Sequence, residues 1–163
     1  MVAIRVLEES DATQYNAFFG AGAARHPSTL RISPEDVWAT PFGTRAVDDG
    51  LTLGAFDESG EWLGVVTVER ERGRTKRRPL ACILRMYVVE SASGRGVGRA
   101  LLQRALDEAA RFVDVTKVNL TVAAQNERAV KLYQQAGFVQ FAREEDAFRD
   151  PVSRAELTMS RPL

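Results

Sequence analysis

Leu80–Phe112 changes its period twice, and no other stretch restricts the fold as tightly. Residues 80–89 (LACILRMYVV) are apolar almost throughout, as expected of a strand covered on both faces rather than one at an edge. The glycine-rich turn Ser93-Gly94-Arg95-Gly96-Val97-Gly98 follows. Leu101, Leu102, Ala105, Leu106, Ala109 and Phe112 then recur at helical spacing and predict a long helix with one buried face. A covered strand, a glycine turn and an amphipathic helix in succession require a layered α/β fold.

The remaining segments fit around this unit. Val2–Leu7 alternates as a short strand. Ser10 or Asp11 can cap a helix with Tyr15, Phe18, Phe19, Gly22 and Ala23 on one side, ending before Pro27. Ser33-Pro34-Glu35-Asp36 has the cap, the first-turn proline and the first-turn carboxylates of a second short helix, which stops near Pro41. Leu51–Phe56 and Trp62–Glu69, separated by Asp57-Glu58-Ser59-Gly60, read as a hairpin. After the long helix come a strand at Val118–Val122, a helix at Asn126–Gln135 stopped by Gly137, and strands at Phe138–Ala142 and Ala155–Met159. The order is β-α-α-β-β-β-α-β-α-β-β, an antiparallel meander followed by two βα units. At 163 residues this is the length of one domain, residues 1–163, able to bury a core without disulfides.

Composition removes several function classes. Cys82 and His26 are the single cysteine and the single histidine, so a zinc site built from His and Cys is untenable and no metal is expected. No apolar run approaches the roughly 18 residues that cross a bilayer, and Met1–Asp11 lacks the apolar core of a leader. The expectation is a cytoplasmic protein without a membrane partner. Twenty-two basic residues balance twenty-two acidic ones, which disfavours a nucleic-acid coat.

The glycine turn opens a helix after a buried strand, where unpaired amides and the positive dipole end make a ready anion site. Two common loops fail there. A Rossmann fingerprint counted from Gly94 has Arg99 at its sixth position, and no GxxxxGK[ST] occurs anywhere. What remains, Gly96-x-Gly98 after Arg85-Met86-Tyr87-Val88-Val89, resembles motif A of the GCN5-related N-acetyltransferase (GNAT) superfamily. Ser93 stands where that pattern has Gln or Arg. Downstream, Asn126-x-x-Ala129-x-x-Leu132-Tyr133-x-x-x-Gly137-Phe138 resembles the family's motif B at every named position. Together the matched residues 84–138 cover about a third of the chain.

The resemblance implies a mixed, mainly antiparallel sheet of six to seven strands flanked by about four helices. It also implies an N-acetyltransferase that moves the acetyl group of acetyl-coenzyme A to an amine of a small molecule or a peptide, working as a monomer or homodimer. By this analogy the amides and side chains of Ser93, Gly94, Arg95, Gly96, Val97, Gly98 and Arg99 hold the pyrophosphate, Met86 and Val88 the pantetheine arm, and Asn126 takes part in cofactor binding. Tyr133 becomes the general acid for the thiolate; read without the family, it is a core aromatic. A phenol of reference pKa about 10 can donate at neutral pH without being ionised.

The base is less defined. Many family members place a Glu on the strand before motif A, and Ile83-Leu84-Arg85-Met86 has none. Glu69 could act through a water or be a solvated strand-end charge. Cys82 reads as an inert core thiol, His26 as a surface residue or part of the acceptor wall, and Arg70–Arg78 as a solvated basic loop. An alternative function on the same fold is a non-catalytic acyl-coenzyme A sensor. Residues 1–69 hold 4 basic and 11 acidic side chains, a net of −7, and residues 70–163 hold 18 and 11, a net of +7. That division places positive charge with the cofactor motifs and favours a cationic acceptor.

Overall fold

In the computed structural model, which describes residues 1–27, 29–30, 50–71 and 75–163, seven strands form one sheet. They are β1 (Ala3–Val6), β2 (Gly50–Phe56), β3 (Trp62–Arg70), β4 (Leu80–Val88), β5 (Lys117–Ala123), β6 (Val139–Arg149) and β7 (Ser153–Pro162). Three α-helices are described: α1 (Ala12–Arg25), α2 (Val97–Ala109) and α3 (Glu127–Gln135). The sequence leads one to expect about four; its second short helix, Ser33–Pro41, lies outside the described residues.

The strand order is β1-β2-β3-β4-β5-β7-β6, so the apolar run in β4 lies at the centre. β1 to β4 form the antiparallel meander. β4 and β5 are parallel and joined across α2. The second βα unit departs from a simple repeat: β7 inserts antiparallel between β5 and β6. β6 is left on the edge and is mostly exposed along its length. It runs eleven residues, well past Ala142, because the charged Arg143–Asp146 segment suits an edge that must resist pairing with other chains. β7 likewise extends beyond Ala155–Met159 at both ends.

Two apolar clusters cover the two faces. On one, Leu101, Leu102, Ala105 and Leu106 of α2 and Tyr133 of α3 pack on Val66, Val68, Ile83 and Leu120. Phe112 joins this cluster from beyond the end of α2 rather than from within the helix. On the other face, Tyr15, Phe19 and Ala23 of α1 pack on Val65 and Tyr87. The approach here is close: a Cβ on Gly22 would lie 2.7 Å from a Tyr87 ring atom, so only glycine lets α1 settle at this depth.

Arg70, expected to begin a solvated loop, is instead 4% exposed at the end of β3. Its guanidinium donates to the carbonyls of Arg78 and Val113, each at 2.7 Å, and ties the β3–β4 connection to the segment after α2. Cys82 is half-buried, and burial pushes its thiol above the ordinary range, in keeping with an unreactive role.

The corner between β1 and α1 is held by a fork. Arg5 donates to both carboxylate oxygens of Asp11 at 2.7 and 2.8 Å, and the Glu8 amide donates to the same group at 2.8 Å. These bonds lower the Asp11 pKa from 3.8 to about 2, the Arg5 hydrogen bond being the main cause. The folded state therefore gains stability from Asp11 above about pH 4 and loses it as pH falls toward 2. Because the Arg5 side chain is half exposed, Asp11→Asn should cost about 1 kcal/mol at neutral pH. Urea unfolding of the two proteins should show that difference shrinking as pH drops through this window. A difference independent of pH would refute the assignment.

Candidate active site

The site begins where β4 loses one neighbour. Pairing of β4 with β5 runs from Leu80–Lys117 to Ile83–Leu120 and stops, while β5 continues beside β7 to Ala123. On the other edge, Thr67 pairs with Arg85 and Val68 with Ile83, so Leu84 is an extra residue at a β-bulge. Beyond the bulge β4 stays paired to β3, and the Val89 amide donates to Leu63 O at 2.9 Å. Alternate residues of a strand share one edge, so Tyr87 faces β3 as Val89 does. Met86 and Val88 turn N–H and C=O toward the gap that β5 has left.

The chain leaves β4 through a 3-10 turn at Glu90–Ala92. Ser93 N donates to Glu90 O at 2.9 Å and Arg95 N to Ala92 O at 3.4 Å. Gly94 and Gly96 take φ of +77° and +81°, left-handed values that let the chain double back into α2. No side chain caps α2, and its first internal bond is from Ala100 N to Gly96 O at 3.0 Å. The preceding amides of the first turn have no intrahelical partner.

Across the gap α3 presents a second helix start. Asn126 Oδ1 accepts from Ala129 N at 3.2 Å, as its place before the helix predicts. Two turns on, Tyr133 is 7% exposed, packs edge-on against Phe138 and places its hydroxyl 3.8 Å from Met86 Sδ. The phenol thus sits beside the stretch of β4 that has lost its partner.

These parts enclose a cleft of about 900 Å³. Met86, Val88, Ser93, Gly94, Gly96, Val97, Gly98, Arg99, Asn126 and Tyr133 all line it. Arg95 does not: it is exposed and outside the lining, because the turn that brings Gly94 and Gly96 inward carries it away. Glu69 is not among the lining residues either, its register partners being Gly50 and Cys82.

His26 does line the cleft, with its ring 5.9 Å from that of Tyr87, and so do Thr29, Leu30 and Phe19. Sequence reasoning missed Arg128 and Lys131 of α3 and Arg85 of β4 as lining groups. The i,i+3 spacing of Arg128 and Lys131 on a helix was the available signal. With Arg99 they make four cations on a wall where, among the described residues, Glu90 is the one carboxylate. The described residues include no group of three or more His, Cys, Asp or Glu that could hold a metal ion, and no helix long and apolar enough to cross a membrane.

Comparison with known proteins agrees with this architecture. The sequence model described as "Acetyltransferase (GNAT) family" matches residues 16–138. A mycothiol acetyltransferase of Propionibacterium freudenreichii is 31% identical over 139 residues, 80% of this chain and 40% of that protein. The chain spans between about a fifth and two-fifths of the length of the curated relatives it matches. Among solved structures, a GCN5-related N-acetyltransferase from Kribbella flavida superposes with a TM-score of 0.83 at 27% identity, covering 99% of this chain and 98% of that one. A phosphinothricin acetyltransferase from Sinorhizobium meliloti, solved in complex with acetyl-coenzyme A, gives 0.84 at 20% identity, covering 99% and 88%.

The two glycines of the turn should respond differently to substitution. Gly96→Ala forces a side chain into left-handed backbone and should cost about 1–2 kcal/mol. Gly98 lies in the first turn of α2, where a Cβ would meet Met86 Cε at 3.4 Å and Leu132 Cδ2 at 3.5 Å, ordinary contacts with flexible groups. Gly98→Ala should leave stability within about 0.5 kcal/mol, helped by the better helix propensity of alanine. Thermal melts of both variants decide the matter, and equal losses would contradict it.

Proposed function

The chain belongs to the acetyltransferase (GNAT) family, and from that premise we propose that residues 1–163 act as one N-acetyltransferase domain using acetyl-coenzyme A as cosubstrate. The observation that carries this reading is the joint placement of an uncapped α2 N-terminus, the unpaired edge of β4 and the Tyr133 hydroxyl along one cleft.

Each part has a chemical use. The free amides after Gly96 and the positive end of α2 suit a pyrophosphate, and Arg99, Arg128 and Lys131 add charge for the ligand's phosphates. The Met86 and Val88 backbone, turned into the gap, suits the amide-bearing pantetheine arm as a substitute strand. At the thioester, the Val88 amide is available to polarise the carbonyl as negative charge develops. The acceptor nitrogen forms its bond to the acetyl carbon, the C–S bond breaks, and the departing thiolate takes a proton from Tyr133. The proton shed by the amine passes to water, with Glu90 and His26 of the described lining as the proposed relays, and Tyr133 regains a proton from solvent.

A second reading, an acyl-coenzyme A sensor without turnover, draws support from β4, which carries no carboxylate in the cleft. Calorimetry with acetyl-coenzyme A combined with a thiol-release assay over an amine panel separates the two. Saturable binding with thiol release supports the transferase, binding without release supports the sensor, and no binding rejects both. In the transferase, Tyr133→Phe should lower kcat by about 100-fold or more. Cofactor affinity should stay near normal. An unchanged kcat would remove Tyr133 from the acid role.

A further inference from the structure

The bulge at Leu84 has a consequence for the acceptor. Ile83, Met86 and Val88 belong to the cluster under α2 and α3, whereas Tyr87 belongs to the cluster under α1. In an unbroken strand Ile83 and Arg85 would share a face; the extra residue reverses the alternation and turns Arg85 toward α1. There Arg85 donates to the Tyr15 hydroxyl at 3.1 Å and its guanidinium lies 5.9 Å from the centre of the Phe19 ring. It is half-buried, lines the cleft, and pairs with no carboxylate among the described residues. Arg5, Arg77, Arg104, Arg111 and Arg143 all do pair with one.

A partly desolvated guanidinium held by a hydroxyl and an aromatic ring, with N–H groups to spare, is a receptor for an oxyanion. Its surroundings fix what else the ligand carries. Phe19, Leu30 and Tyr87 form an apolar wall on the same face, and β4 parts from β5 just before Arg85, after Ile83. The cofactor loop and Tyr133 lie on the opposite side of the sheet.

We infer that the acceptor is an amine that also carries a carboxylate, of the amino-acid type with an apolar side chain, and that Arg85 receives the carboxylate. This rests on the acetyl-transfer reading given above. It runs against the cationic acceptor favoured by the division of charge along the sequence. Among the described residues, no acid of residues 1–69 lines the cleft, whereas Arg85 does. A polyamine would have to bring a second ammonium toward the Arg85 guanidinium, which pairs with no carboxylate among the described residues, and that is unfavourable at short range.

The test measures thiol release from acetyl-coenzyme A with L-methionine, L-leucine and L-phenylalanine, with the carboxamide of each, and with spermidine. At least one amino acid should be acetylated with kcat/KM about ten-fold or more above its carboxamide and above spermidine. Arg85→Met should raise KM for that amino acid about ten- to hundred-fold and bring acid and amide close together, leaving the calorimetric affinity for acetyl-coenzyme A unchanged. Arg85→Lys should restore part of the preference. Equal use of acid and amide, a preference for spermidine, no acetylation of any amino acid by a protein that binds acetyl-coenzyme A, or an unaltered acid-to-amide ratio in Arg85→Met each overturns the inference while leaving the transferase reading standing. Failure to bind acetyl-coenzyme A at all overturns the reading beneath it.

Discussion

The hydrogen-bond ladder between β4 and β5 ends after Ile83–Leu120, and most of what distinguishes this fold follows from that early stop. A central strand pair in a parallel arrangement would ordinarily zip along its full length, since each unmade backbone bond in a covered sheet costs free energy. Here β5 parts from β4 and stays with β7, on its other edge, over seven register pairs. On its own other edge β4 is bulged against β3. The two strands diverge, and the polar edge of Met86–Val88 is exposed in the middle of the sheet rather than at its rim. The gap is also where two helix N-termini converge, because α2 leaves the end of β4 and α3 leaves the end of β5. Unpaired amides and two dipole ends in one place make an environment that calls for a ligand rich in amides and negative charge.

The electrostatics sharpen this. Net charge is zero over the chain, yet the cleft wall carries Arg85, Arg99, Arg128 and Lys131 against Glu90. Counting by sequence half finds the sign of the cofactor side, because both helices that supply its basic residues lie after residue 69. It says nothing reliable about the acceptor side, since a carboxylate in the first half acts on the cleft only if the fold brings it there. Asp11 illustrates the point: its charge is spent on Arg5 and the Glu8 amide at the β1–α1 corner.

Local signals made much of the fold legible in advance. The Asn126 cap and the Gly96 turn are properties of a few neighbouring residues, so sequence alone places them, and the apolar run of β4 announces a central strand. The lengths of β6 and β7 were not legible, because an edge strand needs no apolar alternation and Arg143–Asp146 reads as loop. Nor was the burial of Arg70, whose partners are carbonyls that only the tertiary fold assembles. In the site, glycines and caps were readable from motif spacing. The exclusion of Arg95 depends on which way a turn points, with a left-handed glycine on either side, and the facing of Arg85 depends on the bulge at Leu84.

The bulge at Leu84 joins these threads, since one inserted residue does two things at once. It shifts the face of every side chain that follows, so that Met86 and Val88 lie against the α2 and α3 cluster while Arg85 and Tyr87 face α1. It also adds local twist at the point where the strand parts from β5. Without it, Arg85 would turn into the apolar cluster around Ile83, where an unpaired guanidinium could not be accommodated. The backbone of β4 beyond the bulge is therefore available to a shared cofactor whatever its side chains are. The side chains facing α1 are free to differ, and on the acetyl-transfer reading proposed above they are the ones that would select the acceptor.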